Sequence, residues 1–387
     1  MPILNRAAEL QDEVAGWRRH LHANPEINYA VHETAAFVAA KLREFGCDEV
    51  TEGIGQTGVV GIIRGSRGEG TTVGLRADMD ALPLTETTGA PYASTKPGRA
   101  HSCGHDGHTA MLLGAAKYLA ETRNFRGSVA VIFQPAEEGG GGGLAMVKDG
   151  MMERWGIETV YGMHNMPSLP IGAFAIRPGP IMASTAEFTV TVKGRGGHAA
   201  MPHTTIDPIV AASAIVSALQ SITSRSADPV EALVVTVTKF HAGEAYNIIP
   251  ETAQFAGTVR TLKKEMGALA RERLHAICES VAQAYGASVT IHYDANYPVT
   301  VNHEHETVVA GDAAAAVAGD KATIRNVQPV MGGEDFSYML EARPGAFIFI
   351  GNGPSAGLHN PAYDFNDEAI PHGISYWARL AEDVLRG

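Results

Sequence analysis

Three imidazoles and a thiol fall within eight residues at His101-Ser102-Cys103-Gly104-His105-Asp106-Gly107-His108. Thiolate and neutral imidazole are good ligands for zinc and similar ions. Gly104 and Gly107 let the backbone bend so that such side chains aim at one point. A second cluster, Gln134-Pro135-Ala136-Glu137-Glu138-Gly139, sets two carboxylates side by side. Neighbouring side chains of an extended chain diverge, so one can hold a cation while the other faces an attacking water. Metal-assisted hydrolysis needs that division: the cation lowers the pKa of water and a carboxylate takes its proton. Asp78-Met79-Asp80 adds carboxylates that bind metal or orient its ligands, and His164-Asn165 and His359-Asn360 add two more imidazoles. Taken singly, each of these has a plain alternative: a solvated turn for the acids, a packed core residue or helix cap for a histidine. Together, Cys103, His105, Glu138, His164 and His359 exceed the three protein ligands usual for one catalytic zinc. They suit two cations ~3.5–4 Å apart.

Each cluster sits where a predicted strand ends or a helix begins. Apolar runs at Val59–Ile63, Thr72–Leu75, Val129–Phe133, Thr159–Tyr161 and Ala346–Ile350 read as buried strands. Helical spacing marks 4–21, 33–45, 108–121, 305–318 and 367–385. Strands alternating with helices predict an α/β layer sandwich on a mainly parallel sheet, where ligands bind at the carboxyl ends of strands. From residue 184 the texture changes. Ala186–Lys193 alternates apolar and polar, and Asp207-Pro208 opens a helix to about Ser224 with Asp as cap and Pro at the first helical position. Strands at 232–240 and 251–261, a helix at 263–285 and a strand at 287–293 complete the split βαβ order β-α-β-β-α-β. One face of that sheet is left without helical cover, free to pair with another subunit. The expected division is 1–183 plus 299–387 as one domain and 184–298 as an insertion.

The bulk composition is that of a globular protein: 387 residues, 45% hydrophobic and 19% charged. A net charge of −12 with no basic block argues against a nucleic-acid or anionic-membrane partner. The N-terminus lacks the basic and apolar regions of a signal peptide, and no 18-residue apolar run predicts a membrane span. Cys47, Cys103 and Cys278 are an odd, sparse set that fits a reducing compartment, so a cytoplasmic protein is expected.

The motifs resemble the M20 peptidase/amidohydrolase family, in particular its N-acyl-amino-acid amidohydrolases of the hippurate hydrolase and auxin-conjugate hydrolase type. The likeness runs through GLRADMDALPLTE (74–86), HSCGHDGHTAMLLGAA (101–116), FQPAEEGGGG (133–142), YGMHN (161–165), GRGGHAAMPH (194–203), NIIPETAQFAGTVR (247–260), MGGEDFSYM (331–339) and LHNPAYDFND (358–367). Many other members have His where this chain has Asp78, and Asp where it has His105 and His164, so the chain follows the amidohydrolase branch. Cys103 then supplies a ligand that carboxylate-rich members lack.

The resemblance implies a metal-bearing α/β/α sandwich domain with an inserted βαββαβ ferredoxin-like lid that also makes a homodimer. It implies two divalent ions (Zn, Mn, Ni or Co) on Cys103, His105, Glu138, His164 and His359, with Glu137 as general base. His198 is implied to reach the partner subunit's active site and stabilise an oxyanion. Asn247 and Arg260 are implied to bind substrate, Arg being suited to hold a carboxylate. Read from residues alone, Arg260 is equally a surface strand residue. The implied reaction is hydrolysis of the amide of an N-acyl amino acid. A dipeptidase or aminopeptidase on the same scaffold is the alternative within enzymes, and a non-catalytic metal-binding protein the alternative outside them.

Overall fold

The computed structural model describes residues 3–386. The chain forms two compact units: one runs from the N-terminus through Ile181, with Val301–Gln328 and the chain from Asp335 onward; the other comprises Met182–Thr300 and Pro329–Glu334. The short return of 329–334 to the second unit has no counterpart in periodicity, because those six residues carry no regular pattern of their own.

The first unit is built on an eight-stranded sheet. Its centre is parallel: Ser128–Gln134, Thr72–Asp78, Ile157–Pro167 and Gly345–Gly353 lie side by side in that order. Their unbroken apolar runs reflect burial on both faces, and every residue of Gly345–Gly353 is buried. Glu49–Ile54 and Gly58–Arg64 extend one edge antiparallel. The former was not predicted, since EVTEGI is polar and belongs to an exposed edge. On one face lie the helices Gln11–Ala23, His32–Glu44, His105–Thr122, Glu304–Ala318 and Ile370–Val384, sharing one core with Val73, Leu75, Val129, Val131 and Ile348. Shorter helices, Gly142–Lys148, Met151–Arg154 and Ser337–Ala342, contribute the buried Met146, Met152 and Met339. The result is a three-layer α/β/α sandwich.

The second unit is a four-stranded antiparallel sheet in the order Leu233–Ala242, Thr252–Thr261, Ser184–Lys193, Ser288–Ala295. The helices Pro208–Leu219 and Lys264–Ala284 share one core cluster with Phe188, Val190, Phe255 and Val259, so both lie on one face. Asp207 caps the first helix, its Oδ1 accepting from Ile209 N at 2.8 Å, with Pro208 next. That helix stops at Leu219 rather than near 224 and gives way to a wider turn at Ile222–Ser226. Hydroxyls compete with the backbone ladder there: Ser221 Oγ donates to Ala218 O at 2.6 Å and Ser224 Oγ to Gln220 O at 2.9 Å. Among the described residues no helix is long and apolar enough to cross a membrane.

Candidate metal centre

Because Ser128–Gln134, Thr72–Asp78 and Ile157–Pro167 are parallel neighbours, their carboxyl ends open on one side. Asp78, Asp80, Glu137, Glu138 and His164 follow from those ends, and the helix His105–Thr122 starts among them. Its first residue is preceded by Gly104 at φ 92°, where a Cβ would stand 2.2 Å from Asn165 Nδ2. Only glycine permits that approach and that dihedral.

The structure gathers Cys103, His105, Glu138, His164 and His359, with Glu137 beside them. Donor atoms of Cys103–His105–His164, of Cys103–Glu138–His359 and of His105–Glu137–Glu138 each lie within 4.8 Å of one another. Cys103 Sγ is 3.4 Å from His164 Nε2, and His359 Nε2 is 3.3 Å from Glu138 Oε1. The backbone fixes two tautomers. His105 Nδ1 meets Asp80 O at 2.8 Å and His164 Nδ1 meets Asn165 O at 2.6 Å. A carbonyl only accepts, so each Nδ1 carries the proton and each Nε2 is left to bind metal. His105 Nε2 is buried with no hydrogen-bond partner among the described residues, and the buried Glu138 Oε1 faces His359 Nε2 at 3.3 Å. A buried orphan imidazole nitrogen among thiol, imidazole and carboxylate donors fits divalent cations.

Other polar residues position this set. Asp80 accepts Glu137 N–H at 2.9 Å and Glu138 N–H at 3.1 Å, one on each oxygen, which fixes the backbone from which the two glutamates diverge. His108 is committed on both nitrogens: Nδ1 meets Asp78 Oδ1 at 2.6 Å and Nε2 accepts Asn165 N–H at 2.9 Å. Asp78 gives its second oxygen to Arg76 Nη1 at 2.7 Å. His108 and Asp78 therefore act as supports, although both stand in the metal-like motif. His101 is 2% exposed with both ring nitrogens unpartnered among the described residues, and burial lowers its pKa to about 4, so it is neutral.

The cluster's acids draw positive charge inward. Burial opposes protonation of His105, yet Asp78 and Cys103 outweigh it and raise its pKa well above the usual value. His359 is raised to about 10 by its hydrogen bonds to Cys103 and Glu138. Burial, with neighbouring His108 and His105, keeps His164 neutral.

Residues 74–383 match the profile of peptidase family M20/M25/M40. The chain belongs to this family. It is 43% identical to a hippurate hydrolase of Campylobacter jejuni over 386 residues, covering 100% of both chains. It is 39% identical to an N-acetyl-L-cysteine deacetylase of Bacillus subtilis, over 97% of this chain and 89% of that one. Among solved structures it superposes, at a TM-score of 0.85 and 34% identity over 98% of this chain and 99% of the other, on a Bacillus subtilis protein described as a dinuclear metal binding peptidase of family M20. The shared α/β/α metal domain and the ligand-type clusters make this M20 chain a metal-dependent hydrolase that takes two divalent ions.

Two buried networks of this M20 chain were not read from the motifs. Arg76, fully buried, donates from Nε to Gln134 Oε1 at 2.9 Å and from Nη2 to Asp335 Oδ1 at 3.0 Å, besides Asp78. Asp335 also accepts Gln134 Nε2 at 2.7 Å and Gly143 N–H at 2.8 Å, while its own N–H lies 3.4 Å from Glu137 Oε1. The glycine run is packed on this frame: a Cβ at Gly142 would stand 1.7 Å from Pro135 O, and one at Gly143 2.7 Å from Asp335 O. A signal for the network was present. A charge inside an apolar strand such as TVGLRAD must be paired when buried.

The second network holds the helix start. Asp106 lies 2.8 Å from His22 Nδ1 and 3.6 Å from Arg18 Nη1, and Arg18 continues to Asp367 at 2.8 Å. Burial disfavours charge on His22, but Asp106 prevails and raises its pKa from 6.5 to about 9. A raised pKa adds stability that is fully present below 6.5 and is lost as pH climbs through 9, roughly 3 kcal/mol across that window. Denaturant unfolding from pH 6 to 10 is expected to show that decline, and His22→Gln to flatten it. An equally steep decline in the variant would exclude His22 as its source.

In the second unit the structure brings two predicted residues together and leaves the third on a strand. Gly197–His198 pairs with Ile248–Ile249, and Ala199 N–H donates to Asn247 O at 3.0 Å, so His198 and Asn247 are neighbours on an exposed rim. His198 Nδ1 accepts Ala200 N–H at 3.1 Å, which leaves Nε2–H as an outward donor. Arg260 lies on Thr252–Thr261, donates from Nε to Thr258 Oγ1 at 3.1 Å and makes no ion pair among the described residues.

Proposed function

We propose that this chain hydrolyses the amide bond of N-acyl amino acids, releasing a carboxylic acid and a free amino acid. The carrying observation is a buried carboxylate, Glu137, set against a thiol–imidazole–carboxylate cluster that its neighbour Glu138 joins. The relatives' named substrates, hippurate and N-acetyl-L-cysteine, share that chemical form and support the reading.

In this proposal Cys103, His105, Glu138, His164 and His359 hold two divalent cations. Zinc suits the thiolate, and manganese, nickel or cobalt suit the same set. When bound, such ions lower the pKa of water and polarise a carbonyl. Glu137 takes the proton from the attacking water and hands it to the amide nitrogen as the carbon–nitrogen bond breaks, so the amine leaves neutral. Asp80 holds the Glu137 backbone during that exchange. His198 Nε2–H, from a partner subunit, donates to the oxyanion. Arg260 binds the substrate carboxylate and Asn247 a further polar atom. Exposed Phe240, Tyr246 and Ile248 on the inserted unit support its pairing as a homodimer. Three free cysteines support a reducing, cytoplasmic setting.

The test is a panel of N-acetyl, N-benzoyl and dipeptide substrates run on metal-stripped protein restored with each ion. Turnover of the N-acyl substrates is expected only after restoration. Activity that survives chelation would overturn the metal role, and a preference for dipeptides would favour a peptidase.

A further inference from the structure

We infer that an open cleft beside the metal cluster is the acyl subsite, built for an aromatic or extended alkyl acyl group; this rests on the amidohydrolase reading above. The cleft has a volume of about 780 Å³. One wall is the chain that follows His164, with Met166, Pro167 and Pro170, and the other is the loop that leads into His359, with Pro354, Ser355 and Leu358. Met166 lies two residues beyond His164 on the same strand and so shares its side. One wall therefore leaves a residue of the cluster, His164, and the other leads into another, His359.

The chemistry of the lining selects the occupant. No lining residue carries a charge, so the cleft gives a substrate carboxylate no counter-charge. The amide has two ends: one bears the amino acid's carboxylate and the other the acyl group, and an uncharged, proline- and methionine-rich trough suits the second. Ligand sites span ~300–1,000 Å³, and this cleft far exceeds the needs of an acetyl group. Methionine adapts to varied apolar shapes, which fits acyl groups of different outline.

The walls are held in costly backbone. Ser168 (φ 74°) and His359 (φ 62°) are non-glycine residues in the left-handed region, a state that persists where surrounding structure enforces it and that gathers at ligand sites. Ser168 N–H donates to Gly353 O at 3.2 Å and His359 N–H to Ser102 O at 2.8 Å, tying each wall to its neighbour. Gly351 lies under the floor, where a Cβ would be 1.9 Å from Pro170 O.

The test compares N-benzoylglycine with N-acetylglycine. Ser355→Trp narrows the cleft from the wall away from His164, and Met166→Ala removes apolar contact from the other. Each is expected to lower the benzoyl-to-acetyl ratio of kcat/KM about tenfold or more, with metal content retained. In a Glu137→Gln background, calorimetry is expected to show the same loss as weaker binding of N-benzoylglycine relative to N-acetylglycine. An unchanged ratio in both variants would overturn the assignment. So would a change that follows the amino-acid side chain instead, read with N-acetylphenylalanine against N-acetylglycine. Absence of turnover of every N-acyl substrate by the metal-restored wild type would overturn the amidohydrolase reading itself, a separate outcome.

Discussion

Glu137→Gln is expected to lower kcat by about 10²–10⁴-fold while metal content stays at the wild-type level. Glutamine keeps the shape of the side chain but takes no proton. The backbone placement survives as well, because Asp80 grips the N–H groups of residues 137 and 138 rather than the Glu137 side chain. Asp335 N–H, 3.4 Å from Glu137 Oε1, meets an acceptor in either variant. Steady-state kinetics with metal analysis of the same samples reads the outcome, and kcat within threefold of wild type would remove Glu137 from the base role. The variant also tests the donor role of His198. Mixed with an inactive His198→Ala chain, it should recover part of the wild-type activity if His198 works on a partner's substrate. Without recovery, His198 would act within its own chain.

Asp335→Ala is expected to destabilise the metal-loaded protein by about 3–5 kcal/mol, the cost of removing one partner from a buried ion pair. Arg76 is fully buried, and Asp335 is a carboxylate partner of it alongside Asp78. Removing it also strands Gly143 N–H and an amide hydrogen of Gln134. Replacing Arg76 and Asp335 together is expected to cost less than the sum of the two single changes, since the interaction between them is then lost once rather than counted twice. Urea unfolding of the two singles and the double measures this. A loss under 1 kcal/mol for Asp335→Ala would show that the network carries little of the fold.

The predicted strands and helices fell close to their observed positions where the apolar period was unbroken. The Thr72–Asp78 and Ser128–Gln134 strands are continuous apolar runs, and Pro208–Leu219 starts at the cap its sequence announces. Boundaries failed where local side chains override periodicity, as at Ser221 and Ser224, or where an edge strand carries no apolar signature, as at Glu49–Ile54. Among the chemical groups, type and clustering pointed to Cys103, His105, Glu137, Glu138 and His164, because few structural needs put so many ligating groups at strand ends. His359 stood alone in its loop and drew its weight from company.

By itself the sequence determined which donors exist and that they stand at the ends of strands, since both follow from residue type and short-range period. Only the tertiary structure decided how each donor is used. It turned the Nε2 atoms of His105 and His164 toward the cluster, engaged both nitrogens of His108, and joined Arg76 to Asp335 across 259 residues of chain. The reason is range: periodicity reports which face of an element is buried, whereas an imidazole's tautomer and a buried ion's partner depend on atoms brought close by folding.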